Sequence, residues 1–156
     1  MHSPDVTAVF QLPDEAATQA FGENLAPWLA GGLVIYLEGD LGAGKTTLAR
    51  ALIRAMGHCG PVKSPTYSLV EVYVFSSLYL YHFDFYRFES PEEFLDAGFS
   101  EYFNDAASCL VEWPERAVGC VPSADLRLCL HHAGVGRVLE ALADTPAGAQ
   151  CLKALI

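Results

Sequence analysis

A glycine-rich octapeptide, GDLGAGKT at residues 39–46, constrains the fold of this chain more than any other feature. It follows the apolar run 33–37, which predicts a short buried strand, and it precedes residues 45–56, whose apolar side chains recur at helical spacing. Gly57 then provides a signal for the end of that helix. A strand, a glycine-rich loop and a helix in this order predict an α/β fold with the loop at the carboxyl end of a central strand.

The residue types of this octapeptide suit phosphate. Glycines at three positions let backbone N–H groups approach an anion at the helix N-terminus. The Lys45 ammonium can reach the β- and γ-phosphates of a nucleotide, and the Thr46 hydroxyl can hold Mg²⁺. The alternative is a glycine turn that only opens an ordinary helix. We therefore predict a phosphate site formed by Asp40, Leu41, Gly42, Ala43, Gly44, Lys45, Thr46 and Thr47.

Length and composition indicate one soluble domain over residues 1–156. Hydrophobic residues make up 52% of the chain and charged residues 18%, which excludes disorder. No apolar stretch approaches the ~20 residues that a membrane span needs. The N-terminal segment lacks the basic flank and continuous apolar run of an export signal, so we expect a cytoplasmic protein without a membrane partner.

The chain is acidic, with a formal net charge of -10. This is the wrong sign for a protein that grips a nucleic-acid backbone over a wide surface. We expect no direct DNA binding, and any involvement of RNA should come through a partner. Ordinary solubility explains the acidity equally well.

The five cysteines are an odd number without a C-x-x-C pair or a histidine at metal-ligand spacing. Reduced thiols with mostly structural roles are the simplest interpretation. We expect neither a disulfide nor a zinc site.

The remaining segments predict strands and helices that alternate in the first half and strands that pair locally in the second. A mixed sheet flanked by helices follows. The predicted elements are a helix over 13–30, a hairpin of SLVEVYVF and LYLYHFDFYRF turning at Ser76-Ser77, a helix from the N-cap Ser90 through Pro91 to Ala97, a short helix over 100–103, a strand CLVEW, a strand pair DLRLCL and GRVLEAL, and a helix over 147–155.

Two acids end apolar strands and could complete a Mg-nucleotide site. Asp84 lies in LYLYHFDFYR, where alternation places it on one face with His82, and Glu112 ends CLVE. Either acid alone is more often a solvated strand end, but beside a phosphate loop they become candidate ligands of Mg²⁺. His82 either takes part in catalysis or satisfies a local hydrogen bond. Arg87 either stabilises charge on a transferring phosphate or pairs with Glu89.

Five segments taken together resemble the bacterial TsaE (YjeE) family of small P-loop ATPases in tRNA threonylcarbamoyladenosine biosynthesis. The segments are GDLGAGKTTLAR, VKSPTYSLVEVY, HFDFYRF, LVEWPER and a late Gly136-Arg137. They occur in the family's order along nearly the whole chain. Tyr67 stands where many members have phenylalanine, a mild departure that adds a hydroxyl.

The resemblance implies a P-loop NTPase-like three-layer sandwich with a mixed central sheet. It also implies binding of ATP with Mg²⁺ and slow hydrolysis by the isolated protein. The partners implied are the TsaB and TsaD proteins, with tRNA reached through their complex. By the resemblance Lys45 and Thr46 carry nucleotide and metal, Thr66 senses the γ-phosphate, Asp84 and Glu112 are the functional acids, and Trp113 packs near the nucleotide or a partner.

Three other functions compete with a partner-activated ATPase. A regulatory GTPase selects guanine with an N-K-x-D loop, and neither Asn24 nor Asn104 begins one. A small-molecule kinase needs a second pocket, for which little chain remains. A nucleotide-gated assembly switch would bind ATP to order its loops and dock a partner, and it overlaps with the family role.

Overall fold

Seven strands form one mixed sheet in the computed structural model, which describes residues 6–156. The strands are β1 Val6–Leu12, β2 Val34–Glu38, β3 Val70–Val74, β4 Tyr79–Asp84, β5 Ala107–Glu112, β6 Leu126–Ala133 and β7 Gly136–Ala143. Their order across the sheet is β1-β7-β6-β2-β5-β4-β3. The predicted mixed sheet is thereby confirmed.

Parallel pairing occupies the centre of the sheet and antiparallel pairing its two sides. β2 pairs in parallel with β5 and β6, and β5 pairs in parallel with β4. Every residue of β5 is buried, as expected for a parallel strand covered on both faces. The carboxyl ends of β2, β4 and β5 therefore meet at one edge of the sheet.

One face of the sheet is covered by α1 Glu15–Leu25, α2 Lys45–Ala55 and α4 Pro146–Leu155. The Asp14 carboxylate accepts from the Ala17 N–H at the start of α1, and Thr145 caps α4 in the same way. Leu48 and Leu52 of α2 are fully buried in this core. Burial of a leucine side chain contributes about 1.5–3 kcal/mol, so α2 is held firmly against the sheet.

The opposite face of β4 and β5 carries an aromatic core. Phe83 of β4 and Phe85, which follows the strand, are fully buried there. The short helix α3 Glu93–Asp96 and the 3₁₀ turns Phe99–Tyr102 and Pro114–Ala117 cover them. A further 3₁₀ turn, Ala26–Trp28, extends α1 on the other face.

Most predicted elements are confirmed, including both antiparallel hairpins, but one strand was not predicted and two helices are shorter than predicted. The helix predicted over 13–30 ends at Leu25 and continues only as the 3₁₀ turn Ala26–Trp28. β1 lies at the edge of the sheet and was not predicted. The helix expected from Ser90 to Ala97 is a single turn beginning at Glu93. The Ser90 hydroxyl does not cap a helix; instead the Glu93 carboxylate accepts from the N–H groups of Glu89 and Ser90. The first backbone hydrogen bonds of this segment join residues three apart, as in a 3₁₀ turn.

Within residues 6–156, no helix has both the length and the apolar character needed to cross a membrane. All five cysteines are free thiols. Burial raises the pKa of the Cys109 and Cys129 thiols to about 12. These two thiols are therefore protonated and unreactive at neutral pH.

Candidate functional site

The glycine-rich loop connects the carboxyl end of β2 to α2, as the sequence predicts. Gly44 caps α2 with a φ of 106°, in the left-handed region that side chains other than glycine rarely adopt. The Ala43 N–H donates to the Asp40 carbonyl at 3.1 Å, which closes a turn inside the loop. The N-terminus of α2, with its unpaired N–H groups, therefore opens directly onto the loop.

Lys45 contacts the loop and an aromatic ring. Its Nζ donates to the Gly39 carbonyl at 2.6 Å and lies 3.7 Å from the centroid of the Trp113 ring. Burial lowers the pKa of Lys45, and the charges of Glu112 and Asp84 act in the opposite direction. A phosphate would therefore compete with the Gly39 carbonyl for this ammonium.

Asp84 and Glu112 end adjacent parallel strands and are register partners. The backbone holds this strand end on both sides: the Asp84 N–H donates to the Leu69 carbonyl at 3.0 Å, and the Phe85 N–H donates to the Glu112 carbonyl at 3.1 Å. Both carboxylates are buried, with 6% and 4% of their residue surface exposed. The two acids therefore have fixed positions relative to one another.

Each acid has one close polar partner. His82 Nε2 lies 2.6 Å from Glu112 Oε2, and both side chains are buried. Asp84 Oδ1 accepts from the Tyr86 N–H at 2.9 Å. Burial, reinforced by the charge of Glu112, raises the pKa of Asp84, and the bond from Tyr86 partly opposes this rise. His82 therefore forms a local hydrogen bond, and its partner is the candidate site residue Glu112.

Trp113 follows Glu112 with a φ of 58°, so its backbone is left-handed. Its ring packs against Tyr86, with 4.8 Å between the ring centroids. A bulky residue in this region is strained, and such strain often occurs at functional sites. The turn places the Trp113 ring beneath the Lys45 ammonium.

The SPTY segment approaches the site from the β3 side. The Thr66 and Ser64 hydroxyl oxygens are 2.8 Å apart. The Arg87 guanidinium lies 4.3 Å from the centroid of the Tyr67 ring, and that tyrosine is 80% exposed. Among residues 6–156, Arg87 forms no ion pair with Glu89, which was one of the two roles considered for it.

Almost all the predicted site residues line one cavity of about 220 Å³. Its lining consists of Leu41, Gly42, Gly44, Lys45, Thr46, Thr47, Thr66, Asp84, Glu112 and Trp113. Asp40 and Ala43, which were also predicted, do not line it. Asp40 is exposed beside the loop, and Ala43 is fully buried beneath it.

The donor set of this cavity fits Mg²⁺. A hydroxyl and two carboxylates line it, from Thr46, Asp84 and Glu112. Within residues 6–156, no group of three or more His, Cys, Asp or Glu side chains is placed to hold a metal ion. Mg²⁺ is commonly bound by one or two carboxylates together with phosphate oxygens and water, which matches this set.

Arg137, which was not predicted from the sequence as a site residue, contacts the loop. Its Nε donates to the Ala43 carbonyl and its Nη2 to the Gly42 carbonyl, both at 3.0 Å. A second cavity, of about 350 Å³, lies on this side of the loop. The sequence offered one signal for this role: Arg137 lies at the start of a strand whose later residues on the same face, Leu139, Ala141 and Ala143, are all apolar.

Strand β2, the glycine-rich loop and helix α2, at the centre of a mixed sheet, define a P-loop NTPase-like α/β protein. The chain belongs to the TsaE family, because the family model described as threonylcarbamoyl adenosine biosynthesis protein TsaE matches residues 12–138.

Two relatives and one solved structure illustrate this similarity. A Haemophilus influenzae protein named tRNA threonylcarbamoyladenosine biosynthesis protein TsaE is 41% identical over 92% of this chain and 94% of its own. The Bacillus subtilis protein of the same name is 38% identical over 78% of this chain and 75% of its own. The crystal structure of Bacillus subtilis YdiB matches with a TM-score of 0.82 and 27% identity, over 99% of this chain and 97% of that one.

Proposed function

We propose that this chain binds ATP with Mg²⁺ and hydrolyses it slowly to ADP and phosphate. The observation that carries the proposal is the single cavity in which the phosphate loop faces Asp84 and Glu112. A glycine turn that only opened a helix would not require two buried carboxylates opposite it. Glu112 is paired with His82, but a buried carboxylate such as Asp84, held by a backbone N–H, is costly unless it also binds a cation.

The residues divide into those that bind phosphate and those that bind the metal. The loop N–H groups, the α2 N-terminus and the Lys45 ammonium supply positive charge to the β- and γ-phosphates. The Thr46 hydroxyl and the Asp84 carboxylate would hold Mg²⁺, and Glu112 lines the same cavity. When bound, Mg²⁺ neutralises the charge that develops on the phosphate oxygens.

We assign Glu112 to the attacking water. As the water oxygen bonds to the γ-phosphorus and the bond to the ADP oxygen breaks, the water proton passes to a carboxylate oxygen of Glu112. The bond between His82 and Glu112 Oε2 fixes the orientation of that carboxylate from inside the protein. Asp84 would then serve mainly the metal, since its Oδ1 is held by the Tyr86 N–H.

The cellular role we propose is in the biosynthesis of tRNA N6-threonylcarbamoyladenosine, in the cytoplasm, together with TsaB and TsaD proteins. Family membership and the names of the relatives support this pathway. With a net charge of -10, the chain is suited to reach tRNA through partners rather than by its own surface.

A steady-state assay of phosphate release from ATP and Mg²⁺ tests the proposal, first with the protein alone and then with TsaB and TsaD. We expect weak turnover alone, an increase with partners, and loss of turnover in Glu112→Ala. Glu101→Ala is the matched control, because it removes an exposed carboxylate from the aromatic side of the sheet. Turnover unaffected by Glu112→Ala would contradict the assignment.

A nucleotide-gated assembly switch is the second candidate, favoured by the exposed stack of Tyr67 and Arg87 beside the cavity. ATP binding and partner docking that survive in Glu112→Ala while tRNA modification stops would show that hydrolysis is needed beyond assembly. Modification that continues without turnover would favour the switch. Lys45→Ala should weaken nucleotide binding, and unchanged affinity would count against the phosphate loop.

A further inference from the structure

Arg137 occupies an unusual position in β7. Side chains alternate along a strand, so Arg137 shares a face with Leu139, Ala141 and Ala143. Those three residues are buried in the core beneath α1, α2 and α4. Arg137 is therefore the charged residue in a row of β7 side chains that is otherwise apolar and faces the helices. It lies at the end of that row beside the glycine-rich loop.

The guanidinium of Arg137 is directed at backbone carbonyls. Nε donates to Ala43 and Nη2 to Gly42, each at 3.0 Å, and Nη1 donates to the Gly136 carbonyl at 2.7 Å. The planar group thus holds two consecutive peptide groups of the loop and its own strand at the same time. Arginine has the donor geometry for this, whereas the ammonium of a lysine presents a single centre.

Arg137 contacts the loop on the side away from the acids. Gly42, Gly44 and Thr47 line both the cavity with the carboxylates and the second cavity, whereas Arg137 lines only the second. Across one planar trans peptide the C=O and the N–H point in opposite directions. A bond to the Ala43 carbonyl from the Arg137 side therefore turns the Gly44 N–H away from Arg137.

We propose that Arg137 is a positioning residue that holds the phosphate loop in its binding shape before nucleotide arrives. A loop with three glycines loses much conformational freedom when it is ordered. Ordering the loop in advance removes that cost from the binding step and so raises affinity. The proposal rests on the proposed nucleotide site and adds a residue that acts on phosphate through the backbone.

The test compares binding of ADP with Mg²⁺ to the full-length wild type and its variants by isothermal titration calorimetry. We expect Arg137→Ala to raise the Kd about 10- to 100-fold, because the two bonds from its charged guanidinium to the loop are lost. Arg137→Lys keeps the charge and should fall between Arg137→Ala and the wild type. Arg50→Ala, the matched control, removes an exposed arginine from α2 and should leave the Kd within about twofold.

Chemical rescue separates positioning from a general loss of structure. Millimolar guanidinium chloride should restore part of the ADP affinity of Arg137→Ala, and sodium chloride at the same concentration should not. Urea unfolding of each variant shows whether the fold persists, and Arg137→Lys provides the readout if the alanine variant does not fold.

Three results are decisive. Wild-type protein that fails to bind ADP would refute the proposed function itself. Wild type that binds ADP while Arg137→Ala binds equally well would refute only the positioning role. Weakened binding in Arg137→Ala that guanidinium does not restore would also overturn that role.

Discussion

Replacement of Gly22 by alanine tests whether the packing of α1 on α2 sets the position of the glycine-rich loop. A Cβ on Gly22 would lie 2.5 Å from the Leu48 carbonyl oxygen and 3.2 Å from the Leu52 nitrogen. Ordinary contact begins near 3.4 Å, so α2 must move by about 0.9 Å to relieve the closest approach. Both atoms belong to the backbone, so no side-chain rotation can relieve the contact.

The magnitude is a balance of two opposing effects. Alanine is favoured over glycine inside a helix by about 0.5–1 kcal/mol. Overpacking of a close contact costs about 1–3 kcal/mol, and a rigid backbone partner places this case in the upper part of that range. We therefore expect Gly22→Ala to lower the free energy of unfolding by about 1–2 kcal/mol.

The displacement should also affect nucleotide binding. Leu48 lies in the first turn of α2, and its N–H donates to the Gly44 carbonyl of the loop at 3.0 Å. Movement of this turn therefore moves the loop, and we expect the affinity for ADP with Mg²⁺ to fall in Gly22→Ala.

Urea unfolding and ADP titration of two variants form the assay. Ala20→Gly is the matched control, since this residue is exposed in the same helix and its replacement costs about 1 kcal/mol by helix propensity alone. Both variants should lose similar stability, but only Gly22→Ala should lose ADP affinity. A Gly22→Ala protein that is as stable as the wild type would refute the reasoning, because it would mean that the helices separate at no cost.

Three further predictions concern stability. Burial, followed by the charge of Glu38, raises the pKa of Tyr36 to about 12; its contribution to stability is full below about pH 10, the ordinary phenol value, and is lost as pH rises towards 12. Burial also raises the pKa of Tyr73 and Tyr81, so phenolate absorbance should show three late-titrating tyrosines, of which Tyr36→Phe removes one. Asp125→Ala should lower the free energy of unfolding in urea by about 2 kcal/mol, because the Asp125 carboxylate accepts from the Val34 N–H at the start of β2 and from the Thr145 hydroxyl that caps α4. An unchanged unfolding midpoint would show that these two hydrogen bonds do not stabilise the fold. Phe83→Ala should cost about 3–5 kcal/mol, since the ring is fully buried among aromatic rings, whereas Tyr79→Ala, at a residue that is 44% exposed, should cost under about 1 kcal/mol.

The positions of the glycine-rich loop and of the two acids could be predicted because their signals are local. Residues 39–46 carry their own backbone and side-chain requirements, and the apolar strands before Asp84 and Glu112 indicate where each strand ends. Parallel strand ends lie at one edge of a sheet, so the proximity of the acids also followed.

The parts that escaped prediction depend on contacts between distant segments. β1 is an edge strand whose side chains are only partly buried until Leu12, so its sequence lacks a strong apolar pattern. The contact of Arg137 with Gly42 spans 95 residues and has no local signature. The helix expected to begin at Ser90 is shorter because the Glu93 carboxylate, three residues further on, takes the backbone N–H groups that precede it.

The order of the strands also has a consequence for synthesis on the ribosome. β2 ends at residue 38, but its two neighbours in the sheet begin at residues 107 and 126. A nascent chain that stops before residue 107 therefore contains the glycine-rich loop but neither strand that flanks β2. The loop is translated early, but the strands that hold β2 in the sheet are translated late. We therefore expect the growing chain to bind nucleotide only when most of the chain has left the ribosome.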